Sequence, residues 1–179
     1  MRSEPTVKRS RRIGDQPFRI TQVRSARTIS PEQLTHETLK ELFERWCEAK
    51  GGSSWPRRED LQPETLRSAL GRLMILQVEP GDPRLFRYRL VGTAIVESHL
   101  EEMTGQTTDD FSSQSLRRML RAQHEAVLDT GQPLCARVAA EGDGQEITYE
   151  KVVLPVSSDG RAIDQLVACS FPVDPASVG

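Results

Sequence analysis

The sequence predicts an α+β domain, a single antiparallel sheet with its helices grouped on one face. Three observations carry this reading. Apolar residues recur at spacings of three and four in two stretches, over 34–46 and 116–128, which predicts amphipathic helices. Five runs (73–79, 85–92, 134–140, 146–156 and 163–171) change to alternating or continuous apolar character, which predicts strands. Tight turns such as Pro80-Gly81-Asp82-Pro83, Glu141-Gly142-Asp143-Gly144 and Ser157-Ser158-Asp159-Gly160 join consecutive strands, and strands so joined are antiparallel.

Ser30-Pro31-Glu32-Gln33 reads as a helix start, with Ser30 as cap, Pro31 at the first helical position and Gln33 completing a capping box. Leu34, Leu39, Leu42, Phe43 and Trp46 then form one apolar stripe, and Gly51-Gly52 ends the helix after Lys50. The stripe either packs on its own domain or meets a partner or second copy, which makes Leu39, Leu42, Phe43 and Trp46 candidates for a dimer helix. Trp55 follows in a Ser/Pro/Arg loop, where a lid over the core is the commoner role. A short second helix is expected from Asp60 or Gln62 to Gly71, with Leu66, Ala69 and Leu70 on one side.

The hairpin 73–92 places Phe86, Tyr88 and Leu90 on one face of its second strand and Arg87, Arg89 and Val91 on the other. Residues 93–103 predict a short helix. Ser112 or Ser113 opens a longer one with Leu116, Met119, Leu120, Gln123, Val127 and Leu128 inward, stopped by Thr130-Gly131-Gln132-Pro133. On the outer sheet face, Glu146 or Glu150 is placed to pair with Arg87 and Arg89.

Composition bounds the rest. The 179 residues suit one domain, and 36% hydrophobic with 28% charged content is ordinary for a soluble protein. No run approaches the ~20 apolar residues of a membrane span. The basic N-terminus lacks a signal-peptide core. Cys47, Cys135 and Cys169 are widely spaced and odd in number, which argues for a reducing cytoplasm and against both a disulfide framework and a zinc site. Eight Lys/Arg against two acids give residues 1–27 a charge of +6, leaving −8 on the remainder of a chain whose net charge is −2. The chain thus divides into a basic, disordered arm (1–28), a folded domain (29–173) and a tail (174–179). The arm could hold nucleic acid, but with Phe18 its lone aromatic it makes a poor single-strand platform.

The order of elements, together with Phe86-Arg87-Tyr88-Arg89-Leu90-Val91-Gly92-Thr93-Ala94-Ile95, resembles a PAS domain. More narrowly it is similar to the small single-domain PAS-like family widespread in alphaproteobacteria. Leu42 and Trp46 before Gly51-Gly52, Pro56-Arg57 and Asp60 before Pro63, and Leu154-Pro155 before Ser157 support this over about residues 34–171. The resemblance implies a five-stranded antiparallel sheet whose curved face and helices enclose an apolar pocket, preceded by the two N-terminal helices. It implies a non-enzymatic sensor or adaptor that binds a small apolar ligand, dimerises, or meets a regulatory protein. Tyr88, Leu90, His99, Met103, Leu120, His124 and Val127 are the pocket candidates.

No kinase glycine loop, GxxxxGK[ST] or HExxH motif is present, so the module would act through a partner or its arm. The flavin photosensors of this class need a cysteine within 93–111, which has none. Haem-binding relatives use a histidine on the long helix. His124 falls at the edge of the apolar stripe, where a solvent-tipped packing residue is the commoner outcome, so no cofactor is predicted. Cys135 and Cys169 belong on non-adjacent strands, too far apart to bridge. The competing enzyme class, a cone-shaped hydratase or isomerase, needs a buried acid or base, and the assigned inward positions are mainly apolar.

Overall fold

The structure, a computed structural model, describes residues 18–61, 66–99 and 102–178. In chain order it comprises β1 (Gln22–Ile29), α1 (Glu37–Lys50), β2 (Leu73–Glu79), β3 (Asp82–Val91), α2 (Thr93–His99), α3 (Gln114–Thr130), β4 (Leu134–Gly142), β5 (Gln145–Val156) and β6 (Gln165–Pro172). The strands form one sheet ordered β1-β4-β5-β6-β2-β3, antiparallel throughout. Strands β2 to β6 are the five expected. Cys135 and Cys169 both stand opposite Val152, one on each side of β5, and both are free thiols.

The sixth strand corrects the expected arm. Residues 22–29 pair with β4 from Gln22 opposite Glu141 to Ile29 opposite Cys135. All but Val23 and Ile29 are exposed. The strand therefore has no apolar period and is held by the backbone ladder and by Arg24 Nε, 2.8 Å from Glu141 Oε2. A charged, polar strand of this kind also covers the edge of β4, which would otherwise be open to pairing. The remainder of the basic arm, residues 1–17, lies outside the described residues.

The helices do not share one face. Leu39, Leu42 and Trp46 of α1 pack on the face that presents Ile75, Val152, Leu154, Val156 and Val167. The opposite face, with Leu76, Phe86, Tyr88, Val138 and Val153, is covered by α3. The cause is in β5, where Glu150 to Val156 are all buried, so both of its faces need cover. The stripe proposed for a partner is thus taken by the chain's own sheet: Trp46 Nε1 donates to Pro155 O at 2.8 Å, and only Phe43 of the four stays partly exposed.

The first helix also begins later than expected. Gln33 Oε1 accepts from Ser30 N (2.9 Å), but this box closes only a 3-10 turn, Pro31–Gln33, and Leu34 returns to extended backbone. The fully buried Glu150 dictates the interruption. Its carboxylate accepts from Thr35 N (2.8 Å), Thr35 Oγ1 (3.1 Å) and His36 N (3.1 Å), so it terminates α1 as a cap would. Arg137 Nη2 donates to the same carboxylate at 2.6 Å and to Gln33 O at 2.9 Å. Burial alone would raise the Glu150 pKa, but the donors from Arg137, Thr35 and His36 outweigh it and hold the group below its usual value. Glu150 is therefore not the partner of Arg87 or Arg89. Glu79 is, at 2.7 Å from Arg87 Nε.

In place of a second helix, the described residues show 3-10 turns at Arg58–Asp60 and Leu70–Arg72; residues 62–65 are not described. Leu66 and Ala69 are buried as expected, while Leu70 is exposed. Trp55 Nε1 donates to Gly131 O at 2.9 Å, seating the ring over the left-handed C-cap of α3. That helix has its expected limits, with Ser113 Oγ accepting from Leu116 N at its start.

Candidate functional site

A cavity of about 390 Å³ lies between the inner sheet face and the helices α2 and α3. Met74 and Tyr88 contribute from β2 and β3, Ile95 from α2, Leu116 and Leu120 from α3, and Ile147, Tyr149 and Lys151 from β5. Met103 and Phe111, from the connection between α2 and α3, add apolar surface. The wall is chiefly apolar with a few polar groups, which is the usual make-up of a small-molecule site.

The chain before β1 forms part of the wall. Phe18 and Ile20 are buried and line the cavity. Phe18 N donates to Ser98 O of α2, Thr21 N donates to Glu141 O at 2.9 Å, and Ser113 Oγ donates to Thr21 O at 2.9 Å. This strap lies directly on the β4–β5 turn, where a Cβ on Gly142 would stand 1.7 Å from Arg19 O. Only glycine allows that approach. Nothing in the polar, basic sequence around Phe18 and Ile20 marks them as cavity residues.

Of the expected pocket residues, Tyr88, Met103 and Leu120 line the cavity. Leu90 does not; it is 42% exposed on the other face. A bulge is responsible: Ile75 pairs with Leu90 but Leu76 with Tyr88, so the alternation slips by one and Val91 turns inward instead. Val127 is buried in the core without bordering the cavity, and the side chain of His99 lies outside the described residues. His124 is buried rather than solvent-tipped. Its ring meets Phe86 edge-on at 4.9 Å, and it is not among the residues that line the cavity. Burial and then the charge of Lys151 push its pKa well below the ordinary value.

The residue that sequence reasoning overlooked is Lys151. It is 3% exposed and faces the cavity, and among the described residues its ammonium has no hydrogen bond or ion pair. Burial lowers its pKa to about 8. The signal was available, because Ile147, Tyr149, Lys151 and Val153 share one face of an apolar strand, and a cation is out of place there. Burial also raises the hydroxyl pKa values of Tyr88 and Tyr149, so both stay protonated donors at neutral pH.

A model of the PAS domain family matches residues 34–169, most of the chain and all of the sheet except β1 and the end of β6. The chain belongs to the PAS domain family. No curated protein matches it. The added β1 and the strap before it lie outside the matched span of this PAS domain. No helix among the described residues is long and apolar enough to cross a membrane.

Proposed function

We propose that this PAS domain is a non-enzymatic sensor or adaptor that holds a small, mainly apolar molecule in its cavity and reports occupancy through the α1 layer to a protein partner or a second copy. The observation that carries the reading is the cavity itself, of ligand size and mainly apolar, with the strap of Phe18–Ile20 forming part of its wall. Two contacts support a route outward. Phe171 borders the cavity and stacks on His36, the N-cap residue of α1, with ring centroids 3.9 Å apart. Lys151 on the inner face and Glu150 on the outer are consecutive in β5, so a shift of that strand moves the cavity wall and the α1 cap together.

Native mass spectrometry of freshly purified chain tests the proposal. A bound small molecule that survives gentle desolvation and is lost on denaturation is the expected result. A chain that carries no added mass, and takes up none from a panel of apolar compounds, would leave a constitutive adaptor with a filled or idle cavity.

A further inference from the structure

A buried ammonium without a counter-charge is costly, and buried charges in proteins are as a rule paired. Lys151 is buried and unpaired, and it opens onto a cavity. The strand neighbour opposite it in β6, Ser170, also borders the cavity, and Tyr149 on the same face of β5 keeps its proton. This end of the cavity is therefore rich in donors. Among the described residues the one carboxylate on the wall, Glu146, is solvent-exposed and makes no ion pair with Lys151. An anionic ligand would supply the missing counter-charge.

We infer that the cavity takes an amphipathic carboxylate, with the carboxylate on Lys151 and Ser170 and the apolar body along Ile95, Leu116 and Leu120. The inference rests on the reading of the cavity as a ligand site. Lys151 presents one point charge, which a carboxylate matches, and Arg19 and Arg72 also border the cavity and add to its cationic wall. At the roughly 30 Å³ that a water occupies in the liquid, the cavity has room for a body on the order of a dozen heavy atoms. A medium-chain alkanoate and a short arylalkanoate both meet that limit and share the same head chemistry.

The test is calorimetric titration of the full chain with decanoate, 4-phenylbutyrate and the neutral 1-decanol, repeated on Lys151→Met. We expect at least one carboxylate to bind about tenfold or more tighter than decanol, the scale of one charge-assisted hydrogen bond. Decanoate alone would identify an alkyl body, and phenylbutyrate alone an aryl one. Lys151→Met should abolish the preference while still binding decanol. Decanol binding as tightly as both acids, or an unchanged preference in Lys151→Met, would overturn the carboxylate inference and leave the apolar-ligand reading standing. No binding by any of the three, with no mass retained on purification, would remove both. The parent's acid-over-alcohol ratio decides the matter even if the variant fails to fold.

Discussion

Glu150→Gln is expected to destabilise the domain by about 3–5 kcal/mol, the scale for breaking a buried ion pair by removing one partner. The parent carboxylate is fully buried and receives Arg137, both Thr35 donors and His36 N. Glutamine keeps the shape but removes the charge, and its amide brings donors to a place already ringed by donors. Arg137, itself buried, would keep its charge without a counter-ion. Urea titration of parent and variant measures the difference. A double variant, Glu150→Leu with Arg137→Met, should cost less than the two single changes added together, because it removes the stranded charge as well.

The pH dependence has a definite sign. The folded-state pKa of Glu150 lies below its usual value. Its stabilising contribution is therefore complete above the unfolded value of about 4.3 and is lost as pH falls through the folded one. The stability gap between parent and Glu150→Gln should be widest near neutrality and narrow below about pH 4. A gap independent of pH would mean that the carboxylate is not ionised in the folded state.

Trp46→Ala carries the second large expectation, a loss of about 3–5 kcal/mol for truncating a core tryptophan. The indole is buried among Leu42, Leu154 and their neighbours, and its Nε1 satisfies the Pro155 carbonyl at 2.8 Å. Trp46→Phe should cost less, since it keeps most of the ring contacts and loses the hydrogen bond, worth about 1 kcal/mol. Chemical denaturation followed by circular dichroism reads both. If α1 instead offered its stripe to a partner, Trp46→Ala would barely change the stability of the isolated chain and would act on association alone.

What could be read in advance follows from where periodicity has a physical cause. The limits of α3 were legible because Ser113 caps it and Gly131 adopts the left-handed stop that few other residues tolerate. The β2–β3 hairpin was legible from Pro80-Gly81-Asp82-Pro83. By contrast β1 gains its place from backbone bonds to β4, so Arg24, Ser25 and Arg27 show no apolar alternation to betray it. The helix stop at Leu34 was hidden for a related reason. Ser30 and Gln33 are a valid local start, but Glu150, more than a hundred residues away, takes the amides of Thr35 and His36.

Two further differences could have been seen. The unbroken run Val152-Val153-Leu154-Pro155-Val156 fits a strand covered on both faces better than one with a solvated side, and the observed sheet is covered on both. At the cavity, Tyr88, Met103 and Leu120 followed from face assignments, whereas Leu90 was lost to a bulge that no alternation rule foresees. Lys151 carries no motif, but its inward position can be counted directly from Tyr149 and Val153.

Occupancy of the cavity should be felt at the start of α1. Amide hydrogen exchange of the full chain, with and without decanoate at a concentration that calorimetry shows to be saturating, tests it most directly. Added protection is expected at Phe18–Thr21 and α2 and, on the far side of the sheet, a change at Thr35–Leu39, where Glu150 and Phe171 meet the start of α1. Protection confined to the cavity walls, with the exchange of Thr35–Leu39 unaltered, would contradict it.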